Sequence, residues 1–438
     1  MAACNNAAFE WIHHEHVARN AGGMSYEQLS IVGQPPTKSS SSSSAEGYSY
    51  TVPSSSTGKD GSGESLTKIQ AAALAFADAS TRNITVPTEV FDGLKNALKE
   101  ELEARPVMDK VTGEPSTVEQ QMVEATAIVG GYNLVSRFLV ALDVDDKSTL
   151  AVPVPIVAKV PVDGASGSDE GLHAVYLPVQ GDPTDKTIVL VNSLLTNYRM
   201  WKYTWERLNK SYNVIMYDQR GHGGSFVPAN GQKCTMDELA KDVVNVLDHF
   251  KVDKAWAVIG ISQGGATALN FALDHPGRSQ KIIACDTQAK SPEANIKAWD
   301  ERIELAKKEG MGALADATIP RWFAAGSSFD KEKDYGWLKE GVEGTTVDGF
   351  AAGAGALQGY DLLAKGLVEV LAKRPADSVM LLAGEMDGKL PEGLQALGQE
   401  VQQKGGSVEV EIIAKGGHLP CVNEPEAFLN AVCAFLEK

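Results

Sequence analysis

Residues 256–276 read WAVIGISQGGATALNFALDHP: a short apolar run, a serine between glycines, and a helix-like stretch that stops at a proline. The pentapeptide Gly260-Ile261-Ser262-Gln263-Gly264 carries the chemistry. A serine hydroxyl attacks a carbonyl carbon well when it stands on a sharp turn from strand to helix. Such a turn crowds the positions two before and two after the serine, so glycine fits where a Cβ would clash. The N–H of Gln263 then points toward the developing oxyanion, assisted by the start of the helix. Ser262 is therefore the expected nucleophile.

A serine nucleophile needs a base, and the base needs an acid to orient it. On a sheet of this kind the chain order is serine, acid, histidine. After Ser262 the sequence has only His275 and His418. His275 precedes Pro276 at a helix end and suits a solvated role. His418 follows the expected strand at 408–413, and Asp387 follows another at 378–383. These are the places for the base and the acid, with Glu385 as the neighbouring alternative to Asp387. The second oxyanion donor belongs to the loop after the strand at 187–192, at the N–H of Leu194 or Leu195. His222 lies before the serine in chain order and is assigned a structural role. Chemistry of this type calls for no cofactor and no metal.

The elements that must position these groups come next. The 438 residues exceed one ordinary domain. Apolar content of 43% and charged content of 22% are those of a globular chain. The net charge of −17 argues against nucleic-acid or anionic-membrane partners. Five scattered cysteines without a C-x-x-C fit free thiols in a reducing compartment better than a disulfide scaffold or a zinc site. No apolar run approaches the ~18 residues of a membrane span, and no secretory signal is apparent. A cytoplasmic location is the default expectation.

Helical periodicity dominates residues 1–145, with Ser25 as a candidate cap, and a Ser/Gly/Thr-rich insertion at 34–65 is too polar to offset its ordering entropy. From residue 150 the period changes. Short β-rich runs at 153–162, 173–179, 187–192, 213–217, 254–259, 281–285, 378–383 and 408–413 alternate with helical stretches. That alternation predicts an α/β fold, a doubly wound, mostly parallel sheet with helices on both faces. The β signal lapses at about 289–360, where Trp, Phe and charged helical residues predict a cap over the strand ends.

Residues 150–438 resemble the α/β-hydrolase superfamily and, within it, the 3-oxoadipate enol-lactonases of aromatic catabolism. The resemblance rests on Asn192-Ser193-Leu194 with Arg199-Met200-Trp201, on Asp218-Gln219-Arg220-Gly221-His222-Gly223, on the serine pentapeptide, on Cys285-Asp286-Thr287, and on His418-Leu419-Pro420. Leu195 departs from it, standing where the family usually has glycine. The resemblance implies a small anionic lactone or ester substrate, for which Arg199 or Arg321 would be a carboxylate clamp.

Residues 1–145 resemble the carboxymuconolactone decarboxylase and AhpD-like helical family through Phe9-Glu10-Trp11 with His14 and through Tyr132-Asn133 to Ser136-Arg137-Phe138. Ala7 and Glu10 occupy the family's cysteine positions, which excludes thiol peroxidase chemistry. Glu10 and His14, one helical turn apart, could be an acid/base pair for decarboxylation or a satisfied structural pair. This resemblance implies a decarboxylation feeding the lactonase, and a homo-oligomer formed through the helical domain.

Overall fold

The computed structural model describes residues 1–33, 66–83, 85–109, 113–165 and 170–438. The serine-rich insertion expected at 34–65 lies outside the described residues. The chain divides into two compact units, Met1–Ile156 and Val157–Lys438.

The first unit carries helices α1 (Ala8–Asn20), α2 (Tyr26–Gly33), α3 (Lys68–Arg82), α4 (Thr88–Ala104) and α5 (Val118–Ala141). Their starts are written in the sequence. Thr67 and Thr117 each form a reciprocal cap with the glutamine three residues on. Ser25 and Gln28 exchange the same pair of hydrogen bonds ahead of α2. Phe76, Leu94, Met122 and Val129 form the buried centre of α3, α4 and α5.

The second unit is built on eight strands: β1 (Ile156–Val160), β2 (Leu172–Leu177), β3 (Thr187–Val191), β4 (Asn213–Tyr217), β5 (Ala255–Ile261), β6 (Ser279–Cys285), β7 (Val379–Gly384) and β8 (Glu409–Ile413). They form one sheet in the order β1-β2-β4-β3-β5-β6-β7-β8. β2 runs antiparallel to β4, and every pair from β4 to β8 is parallel. β3 and β7 read TIVLV and VMLLAG, apolar but for Thr187 and buried throughout, because helices cover both faces of a parallel sheet. β8 is the edge strand and alternates acidic with apolar residues, a charge pattern that discourages edge pairing.

Register decides where the chemistry falls. Val191 pairs with Gly260, Ile261 with Cys285, Cys285 with Leu382, and Gly384 with Ile413. The loops after β3, β5, β6, β7 and β8 therefore leave the sheet along one edge. α6 (Trp205–Leu208), α7 (Met236–His249) and α8 (Gln263–Asp274) connect the first strands, and α8 packs on β5 and β6.

Between β6 and β7 the alternation stops. The chain there forms α9 (Glu293–Trp322), α10 (Lys331–Glu343), α11 (Val347–Ala356) and α12 (Leu367–Ala372). α9 is broken at Gly310, whose φ of 85° is a left-handed conformation that glycine adopts freely. The break lets both halves of one long helix face the strand ends. α13 (Leu390–Gln403), α14 (Pro420–Asn423) and α15 (Pro425–Leu436) complete the unit.

Candidate active site

Ser262 sits between β5 and α8 at φ 58°, ψ −116°. A non-glycine residue there stores roughly 1–3 kcal/mol of strain, which the surrounding structure must hold in place. Its N–H donates to the Cys285 carbonyl at 2.8 Å, and its carbonyl accepts from Ala266 at 3.0 Å. The flanking glycines are required sterically. A Cβ on Gly260 would lie 2.0 Å from the Gly264 carbonyl oxygen, and one on Gly264 would lie 2.1 Å from that of Val191. Gln263 opens α8 fully buried, and its side-chain amide donates to the Gly353 carbonyl of α11 at 2.6 Å.

The candidate acid and base, Asp387 and His418, are brought together. His418 Nδ1 hydrogen-bonds the Asp387 carboxylate at Oδ2, at 2.7 Å. That bond fixes the tautomer with Nδ1 as the donor and leaves Nε2 as the basic nitrogen. The backbone N–H of His418 donates to the Trp322 carbonyl at 2.7 Å, so the last turn of α9 positions the histidine loop. Glu385 is turned elsewhere, its carboxylate accepting from the Lys415 N–H at 2.9 Å. Of the two candidate acids, the geometry selects Asp387.

Ser262, Asp387 and His418 line one cavity of about 370 Å³, a volume suited to a small organic ligand. Ser193, Leu194 and Leu195 line it from the loop after β3. Leu195 has φ 67°, the left-handed region that favours glycine. The loop therefore keeps a turn suited to glycine while carrying leucine. Asn192 braces this loop: its Oδ1 accepts from the Trp201 indole at 2.8 Å and its Nδ2 donates to the Tyr217 carbonyl at 2.8 Å. Across the cavity stand Trp299, Arg302, Thr318, Arg321 and Tyr360, from the cap helices and the segment after them. Two guanidinium groups facing the cavity make a cationic site in a chain whose net charge is −17.

Residues 186–425 match the family model for the alpha/beta hydrolase fold. The chain belongs to the α/β-hydrolase family. It is 30% identical over 258 residues to 3-oxoadipate enol-lactonase 2 of Acinetobacter baylyi, covering 59% of this chain and 91% of that protein. The enol-lactonase structure from Burkholderia xenovorans LB400 is similar at TM-score 0.54 and 28% identity, covering 62% of this chain and 99% of that one. The fold is also shared with a thermophilic esterase from Thermogutta terrifontis, at TM-score 0.54 and 23% identity over 64% of this chain and 98% of that one.

Other residues of this hydrolase fall differently from the sequence expectation. Arg199 is exposed on the 3-10 turn after β3, its backbone N–H bonded to Asn197 Oδ1, and it is absent from the cavity wall. Arg302 takes a place in that wall, its guanidinium 4.4 Å from the centroid of the Trp299 ring. Its signal in the sequence is faint: an aromatic and an arginine three residues apart in a cap helix. In the first unit, the buried Glu10 carboxylate accepts from the Ser136 hydroxyl, while the exposed His14 bonds its Nδ1 to the Glu10 carbonyl at 2.9 Å. The two side chains do not pair with each other.

His222 is buried, with Nδ1 on the Arg220 carbonyl at 3.0 Å and no partner for Nε2 among the described residues. Burial lowers its pKa to about 4, so it is neutral near pH 7, and it is not among the residues lining the cavity. The unfolded chain takes up this proton near its usual ~6.5 and the folded chain does not. The stability it contributes is complete above that value and is lost as pH falls toward 4, by about 3 kcal/mol in all. Denaturant midpoints of wild type and His222→Asn across this range will show the wild type declining more steeply.

Proposed function

We propose that the chain is a serine hydrolase that opens a small lactone or ester bearing a carboxylate, with 3-oxoadipate enol-lactone as the substrate type. Ser262 attacks the carbonyl while His418 Nε2 takes its proton, and Asp387 stabilises the resulting imidazolium. The N–H groups of Gln263 and of Leu194 or Leu195 hold the oxyanion. In a lactone the leaving oxygen takes the proton back from His418 as the ring opens and stays tethered to the acyl group, so ring opening yields one acyl-enzyme and restores the neutral base. Water then attacks it with His418 as base, and Ser262 regains its proton.

The observation that carries the reading is the 2.7 Å pair of His418 and Asp387 in one cavity with the strained Ser262 and two arginines. Arg302 and Arg321 are assigned to the substrate carboxylate, because guanidinium binds carboxylate through charge-assisted hydrogen bonds. The likeness to the enol-lactonases supports the same substrate type.

The test compares enol-lactone with a neutral aryl ester. Each arginine-to-glutamine change is expected to lower kcat/KM on the anionic lactone by roughly tenfold to a hundredfold, and on the neutral ester by under about twofold. Equal losses on both substrates would remove the arginines from carboxylate recognition. Faster turnover of neutral esters than of any lactone would assign the chain to simple esters.

A further inference from the structure

Asp286 is a carboxyl group in the cavity wall that the serine mechanism leaves unused. It follows β6 directly, as Asp387 follows β7, and the two strands are parallel neighbours. Its backbone N–H donates to the Leu382 carbonyl at 2.9 Å. Its Oδ1 accepts from the Gly384 N–H at 2.8 Å, and the Gly384 carbonyl in turn accepts from the Asp387 N–H at 3.1 Å. Asp286 is thus clamped to the turn that carries the acid. Its residue exposure is 0%, and Oδ2 is buried with no donor to accept from among the described residues.

Asp387 after β7 acts on its charge, and Asp286 in turn helps to push up the buried thiols of Cys285 on β6 and Cys421 on α14. His418, Arg302, Arg321 and Tyr360 face the same cavity. A carboxylate at Asp286 would leave one oxygen without a donor, beside a like charge, in a dry site. A carboxylic acid has the opposite fit, because Oδ2 then carries a proton and Asp387 is its acceptor.

We propose that Asp286 is a positioning residue for Asp387, retaining its proton and donating it to the Asp387 carboxylate, so that the two carboxyl groups carry one negative charge between them. The hydrogen bond locks the Asp387 carboxylate in the plane in which His418 Nδ1 meets it. Burial and the Asp387 charge both hold the Asp286 carboxyl far above the usual carboxylate range. The arrangement fails when alkaline pH removes that proton and the two carboxylates repel.

The consequence for rate rests on the Ser262–His418–Asp387 reading; the protonation state does not. Asp286→Asn keeps a neutral donor, whereas Asp286→Leu keeps the branching at Cγ and removes the donor. Asparagine is expected to keep kcat within about threefold of wild type near neutral pH and to abolish the alkaline decline, while leucine lowers kcat on the order of tenfold to a hundredfold with KM little changed. Infrared difference spectra with isotope-labelled aspartate should show a protonated carboxyl band in wild type and in Ser262→Ala, and none in Asp286→Asn.

Absence of that band in wild type overturns the proposal, and so does full kcat in the leucine variant or an equal loss in both variants. Should the leucine variant not fold, the asparagine pH profile and the infrared band decide. The band in Ser262→Ala needs no turnover, so it tests Asp286 even if the hydrolase mechanism is wrong.

Discussion

Replacing Ser262 with alanine is expected to lower kcat on a lactone or an aryl ester by about a millionfold, the scale on which a serine nucleophile acts with its base as one unit. KM should change little, because the hydroxyl contributes its bonding only as the tetrahedral intermediate forms. The variant should fold with its unfolding midpoint little changed, because alanine carries the same Cβ and holds the same φ of 58° at the elbow. Loss of rate with an unchanged unfolding midpoint separates a chemical role from a structural one. The residual rate would come from the oxyanion loop and from binding.

The second large effect is at the acid. Asp387→Asn is expected to lower kcat by about ten-thousandfold, because the amide can donate to Nδ1 and so stabilise the wrong imidazole tautomer. Volume and burial are nearly unchanged, so the unfolding midpoint should move little. Glu385→Gln is the control. Its carboxylate serves the Lys415 N–H, and its loss should leave kcat within about twofold, as for an exposed neutral contact. A larger effect at Glu385 than at Asp387 would exchange the assignment of the acid.

How much of this was legible in the residues follows from which forces place each group. The inner strands β5 and β7 are buried, so their sequences are largely apolar, and the loops that follow them inherit positions on one sheet edge. Ser262 and Asp387 follow such runs, whereas His418 follows the edge strand β8, which was legible from its alternation of acidic and apolar residues. The elbow was legible for a second reason: the backbone approaches at Gly260 and Gly264 exclude any side chain.

The cap is different. α9 turns at Gly310, and which of its residues look into the cavity depends on that bend. Arg321, named from the family resemblance, lines the cavity, whereas Arg302 lines it without having been named. Arg199 misled because its neighbours Tyr198, Met200 and Trp201 are buried while it points outward. The spacing of Glu10 and His14 placed them on one helical face, but Ser136, 126 positions away, captures the carboxylate. Asp286 read as part of a family string, and only the register of β6 beside β7 reveals it as a second carboxyl at the acid.

The central claim, that Ser262 forms a covalent acyl-enzyme with His418 as its base, is tested most directly by mass spectrometry of protein quenched during turnover of a lactone. The account predicts an adduct of the whole ring-opened acyl group on the peptide bearing Ser262, absent from Ser262→Ala and greatly slowed in His418→Ala. Turnover of the lactone with no adduct at Ser262, or with the adduct on another residue, would contradict it.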